Sequence, residues 1–226
     1  MTRVEGDISY RVRRSDRARR VRVRVDEQSG VEVVLPRRTA EREAAAAIRQ
    51  LRPWIERRIA ELERHRAAIA ARGATVPYLG QTLALVAEPG RTRVHRSGER
   101  LLVPGAPADG EASRAALERW YRRRAAEEIA PRLDAATARA GTRYTKLTIR
   151  GQRTRWASCS TNGGMSFNWR LLLAPAPVLD YVVWHEVCHL EVMDHSPRFW
   201  NLLASRWPDY EAHQAWLRRH GATLVL

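Results

Sequence analysis

His185-Glu186-Val187-Cys188-His189, followed by His195, gathers the residue types best suited to chemistry. On a helix, positions four apart share a face, so His185 and His189 present two imidazoles to one ion. Zinc takes neutral imidazole nitrogen at about 2.0–2.1 Å and favours four ligands, so three protein ligands leave a position for water. Glu186 stands beside the first His, where its carboxylate can accept a proton from water acidified by the metal. The chain's His and Glu content gives an accidental match at ~1%, so the spacing carries information. Imidazole also suits other divalent transition metals, so zinc is the first choice among several.

His195 is the favoured third ligand, because a break imposed by Ser196-Pro197 can turn the chain back toward the ion. Its spacing matches the metzincin pattern, but Val192 occupies the position where that pattern needs Gly, and no methionine follows His195. Glu211 is the competing ligand.

The elements that must position these residues show in the hydrophobic period. A helix is expected over Pro175–Met193, a second from Ser196-Pro197 to Trp207, and a last one over Tyr210–His220 ending at Gly221. Lys146–Ile149, Arg153–Ser158 and Met165–Trp169 read as strands; the last could align an extended peptide by adding it to a sheet. Further upstream, Asp109–Gly141 reads as helix, and Leu83–Ala87 and Leu101–Val103 as small antiparallel strands. Val21–Val25 and Val31–Leu35 form a hairpin signal, followed by a helix from Thr39, its expected N-cap, to about Ala71, broken or kinked at Pro53. No internal repeat is apparent. The expected organisation is α+β, with an N-terminal β-hairpin and helical region over 1–75 and a catalytic region over 76–226, together one compact unit.

Arg155-Trp156-Ala157-Ser158-Cys159-Ser160, Phe167-Asn168-Trp169-Arg170-Leu171, Asp180-Tyr181-Val182-Val183-Trp184, the His185–His189 motif, His195-Ser196 with Phe199-Trp200, and Pro208-Asp209-Tyr210 together resemble the YgjP-like metallopeptidase domain family, related to SprT-like and WLM zincins. The resemblance runs from about Arg19 to Gly221. It implies a zincin-like fold with a small antiparallel sheet beside the active-site helix, metal roles for His185, His189 and His195, and the base role for Glu186. Ala157 stands where the family pattern usually has Gly, which matters only if that position needs a positive φ. Trp156, Ser158, Asn168 and Arg170 are candidate substrate-binding residues, each with a plainer reading in packing or at the surface.

The net charge of +15 favours anionic partners, although a general preference for arginine produces the same excess. Peptide-bond hydrolysis is the leading function, with a peptide or protein substrate. A metal-dependent phosphohydrolase acting on nucleoside triphosphates is the alternative, without a Gly-rich phosphate loop to support it. A nucleic-acid-associated zinc protein is the third reading, resting on charge alone. Two cysteines, Cys159 and Cys188, make no disulfide framework, and no apolar run spans a bilayer, so a cytoplasmic protein is expected.

Overall fold

Ile8, Tyr10 and Val12 alternate with Ser9, Arg11 and Arg13, and this period of two sends one set inward and the other to water. They lie on β2 (Ile8–Ser15), which joins β1 (Thr2–Glu5), β3 (Arg22–Asp26) and β4 (Gly30–Pro36) in a sheet of order β1-β2-β4-β3. In this computed structural model, residues 2–26, 29–105, 110–152 and 154–226 are described. Ile8, Tyr10, Val31, Val33 and Leu35 pack against Ala44, Ile48 and Ile55 of α1 (Arg42–Ala70). The helix runs through Pro53 without the break that was one of the two expectations there. Ile48 and Ile55, on either side of the proline, are both fully buried, which offsets the one lost backbone hydrogen bond. Nor is Thr39 the cap: its N–H bonds the Pro36 carbonyl and the helix begins after Glu41.

These elements make up the first of two compact units, Met1–Ala71; the second is Arg72–Leu226. The second opens with β5 (Thr75–Tyr78), β6 (Gln81–Glu88), β7 (His95–Ser97) and β8 (Arg100–Pro104) in the order β5-β6-β8-β7, followed by α2 (Gly110–Ala140). That is the first unit's topology again, so the chain does contain a structural repeat. The registers correspond row by row: Arg11 pairs with Glu32 and Glu32 with Arg24, as Ala84 pairs with Arg100 and Arg100 with Ser97. The repeat is invisible in sequence because only the inward alternation and the turns are shared; Gly6 and Leu79, which follow β1 and β5, both have positive φ.

In each repeat two hairpins join through their second strands, and those strands therefore run parallel. Strands β6 and β8 were expected to be antiparallel; hydrophobic period does not encode partner direction.

A third sheet, of order β10-β11-β9, contains β9 (Lys146–Arg150), β10 (Ala157–Cys159) and β11 (Gly164–Asn168). It is mixed where a purely antiparallel sheet was expected, since β9 and β11 are parallel. A 3₁₀ turn (Trp169–Leu173) leads into α3 (Ala176–Cys188), α4 (Pro197–Arg206) and α5 (Tyr210–His220). The second unit's core runs from Leu83 and Leu101 through Tyr121, Ile129 and Leu133 of α2 to Phe167, Leu179, Val187 and Phe199. The result is an α+β fold of helices and small mixed sheets. Among the described residues, no helix is long and apolar enough to cross a membrane.

Candidate metal centre

Helix α3 is apolar nearly all round: Val178, Leu179, Tyr181, Val182, Val183, Trp184, Val187 and Cys188 are buried. Such a helix belongs inside a core, and polar groups carried on it are taken out of water. It starts at Ala176, with proline in its first turn, and stops at Cys188 with His189 as its C-cap, five residues short of the expected end at Met193. The early stop has a local cause. Nδ1 of His189 lies 3.0 Å from the Val192 carbonyl, which can only accept, so the ring donates there and holds the following turn against the helix end. That turn returns His195 to the helix. Asp194 accepts from the Ser196 N–H at 2.9 Å, and Pro197 opens α4. Ser196 holds the N-cap position but makes no side-chain cap bond.

The ligand nitrogens of His185, His189 and His195 all lie within 4.8 Å of one another. Among the described residues, no other set of three His, Cys, Asp or Glu side chains converges in this way. Glu211, the competing ligand, accepts from the Tyr210 hydroxyl and is exposed.

Each ring is held differently. Donation from Nδ1 of His189 leaves its Nε2 lone pair free, and the ring stacks on buried Phe199 at 4.5 Å. His195 stacks on Trp200 at 5.5 Å, whose indole N–H donates to the His195 carbonyl at 3.0 Å. Nε2 of His185 faces Nε2 of His195 at 3.1 Å, while Nδ1 of His185 is buried without a partner. Two imidazole lone pairs at that distance repel unless a proton or a cation lies between them. The donor set, three close imidazoles with their protons directed elsewhere or unshared, fits a zinc-class ion.

Electrostatics agree. Burial, then the neighbouring His189 and His195 rings, push His185 down to about 3. Burial likewise lowers His189, so both rings stay neutral at physiological pH, as metal ligation requires. Glu186 is buried, its Oε2 has no partner, and burial raises its carboxyl to about 8 against the opposing pull of Arg155 and the Cys159 backbone N–H. A nearby cation would favour the carboxylate and reverse this shift.

The remaining candidates divide. Ser158 is on β10, its hydroxyl 2.9 Å from that of Ser166. Trp156, just before β10, packs against the core and so closely against Gly221 that a Cβ there would lie 2.8 Å from the indole. Asn168 is buried: its amide donates to the Gln152 and Arg155 carbonyls and its Oδ1 accepts from the Arg170 N–H. Arg170 donates to the Gly151 carbonyl at 3.2 Å and lies over the Trp169 ring. Asp109 and Arg153, expected to begin a helix and a strand, lie outside the described residues. Ala157 takes no positive φ; among the described residues Leu79 is the non-glycine that does, so Ala at 157 carries no strain. Cys159 and Cys188 are free.

Strand β11 cannot receive a substrate strand, because β10 and β9 cover both of its edges. The sheet edge facing the centre is β10. Asn168 N–H bonds the Trp156 carbonyl and Ser160 N–H the Gly164 carbonyl, so antiparallel alternation turns the N–H and C=O of Ala157 and Cys159 outward. Sequence reasoning missed Phe199 and Trp200 as the rings that orient the imidazoles; their aromatic type and position in the turn after His195 were the available signal.

A family model described as YgjP-like, metallopeptidase domain, matches residues 19–220. No curated protein and no solved structure matches the chain. With the match spanning nearly the whole sequence, the chain belongs to the YgjP-like metallopeptidase domain family.

Proposed function

We propose that the protein is a zinc-dependent metallopeptidase in which His185, His189 and His195 hold the metal and Glu186 is the catalytic base. One observation carries this reading: three imidazoles within 4.8 Å of one another, beside a buried carboxyl whose Oε2 has no protein partner. When bound, zinc supplies Lewis acidity, polarising a carbonyl and making water a nucleophile near neutral pH. Glu186 takes the proton of the attacking water at its free Oε2 and delivers it to the leaving amine. The Cys159 backbone N–H steadies the carboxylate between these transfers.

Edge strand β10 takes the substrate as an added strand, with Ala157 offering its outward N–H and C=O while the Cys159 N–H is engaged by Glu186. Ser158 and Trp156 flank Ala157 with their backbone groups bound to β11, so they set the edge while Ala157 offers the contact. Asn168 and Arg170 act at one remove, holding the carbonyls of Gly151, Gln152 and Arg155 ahead of β10 and so setting the position of the edge.

The test is cleavage of an unfolded protein or a peptide library by zinc-loaded protein. Glu186→Gln is expected to keep the metal and lose about 10²-fold or more in kcat. Wild-type rates in that variant would remove the assigned base, and phosphate release from nucleotides with inert peptides would move the site to another substrate class.

A further inference from the structure

The structural repeat supplies an internal control for the chain's arginine excess. On the outward face of the first sheet, β2 carries Arg11 and Arg13, and β3 carries Arg22 and Arg24, all exposed. Between them β4 contributes Glu32 and Val34, in rows Arg11–Glu32–Arg24 and Arg13–Val34–Arg22. The corresponding rows of the second sheet are Ala84–Arg100–Ser97 and Val86–Leu102–His95. The central apolar position is kept, as Val34 and Leu102. All four arginine positions are replaced by Ala84, Ser97, Val86 and His95. A uniform preference for arginine would have marked both faces alike; these rows hold four arginines and one glutamate on the first face and a single arginine, Arg100, on the second.

We propose that the outward face of the β1-β2-β4-β3 sheet binds the phosphate backbone of a nucleic acid. Neighbouring strands lie about 4.8 Å apart and alternate residues about 6.7 Å, so the four guanidinium stems frame an area of roughly 7 by 10 Å. Arg13 is paired with Glu32, and Asp26 at the end of β3 accepts from the Ser29 N–H. Positive charge remains in excess on this face, and Arg17, Arg19, Arg20 and Arg38 are exposed in the segments that follow β2 and β4. Guanidinium groups bind phosphate oxygens in paired hydrogen bonds, and a regular polyanion can engage several at once. Among the described residues the face bears no aromatic ring on which a base could stack and no helix to enter a groove, so binding is to the backbone and independent of sequence. Anionic membrane fits less well, because among the described residues Val4 is the one large exposed apolar side chain on this face and interfacial anchoring needs a broader apolar surface.

Fluorescence anisotropy with labelled single-stranded and duplex DNA of mixed sequence, titrated against salt, tests the proposal. A variant with Arg11, Arg13, Arg22 and Arg24 all changed to Gln is compared with a charge-matched control changing Arg42, Arg57, Arg64 and Arg66 of α1, all exposed. The sheet variant is expected to bind single strands at least ~10-fold more weakly at about 0.1 M salt, with a log–log salt slope shallower by about 2–3; the control stays close to wild type. Equal losses in both variants would show binding by net charge alone and overturn the proposal. So would binding to vesicles of anionic phospholipid with no binding to either DNA. Circular dichroism and zinc content of both variants show that neither loss comes from unfolding.

Discussion

His185, His189 and His195 carry the same side chain in three different settings, and the settings predict unequal consequences. His195 is the exposed member of the three and is held by Trp200, through ring stacking and the bond from the indole N–H to its carbonyl. Trp200→Ala frees that ring without removing a ligand, so zinc affinity is expected to fall about 10–100-fold, read by competition with a chromogenic chelator. An unchanged affinity would remove Trp200 from the site. Glu186 gives a second prediction, with an opposite sign for stability and activity. Its folded pKa is raised to about 8 from the ordinary 4.5, so its contribution to stability is complete below about 4.5 and is lost as pH rises through 8. With metal chelated, Glu186→Gln is therefore expected to melt several degrees above wild type at pH 9, with the difference closing toward pH 5. The His–Glu–His spacing was legible in sequence because a helix converts a separation of four directly into proximity. The supports were not, since Phe199 and Trp200 act across a turn whose path depends on one side chain-to-backbone bond.

For the elements, the sequence conveyed inward alternation better than partnership. Strands β6, β8, β9 and β11 stand where the apolar runs placed them, yet two parallel ladders and the edge position of β10 follow from topology, which no local period records. Strands β1 and β2 were missed although Ile8, Tyr10 and Val12 alternate with polar residues just as Val21, Val23 and Val25 do, so for β2 the signal was present in the sequence. The edge assignment is testable. Ala157→Pro deletes an outward N–H while leaving the bonds of Ser158 and Ser160 to β11 in place. The expected result is a kcat/KM at least ~10-fold lower on extended peptides with zinc content unchanged; full activity would show that substrate does not add to β10.

At the scale of the molecule, two copies of one four-strand-and-helix topology have been put to different uses. The second is continuous with the sheet and helices of the candidate metal centre in a single core, while the first has its own core on α1. Arg72, at the first position of the second unit, closes that unit over a long loop: its guanidinium donates to the Thr223 and Val225 carbonyls at 2.6 and 3.0 Å. Arg72→Ala removes both bonds, leaving the Thr223 carbonyl with the Val225 N–H alone, for an expected loss of about 1–3 kcal/mol, or several degrees in Tm, and faster amide exchange over residues 223–225. Unchanged stability would mean that residues 223–225 are held by their packing alone. Neither the repeat nor this closure could be read from sequence, because each joins residues far apart in the chain through groups that are chemically ordinary.

Whether three imidazoles share one metal ion is decided by X-ray absorption at the zinc edge of the metal-loaded protein. One retained zinc per chain is expected, with imidazole scattering from three rings and nitrogen at about 2.0–2.1 Å, reduced by one ring in His195→Ala. Sulfur at about 2.3 Å, which would bring in Cys159 or Cys188, or zinc lost on dialysis, would contradict the assignment.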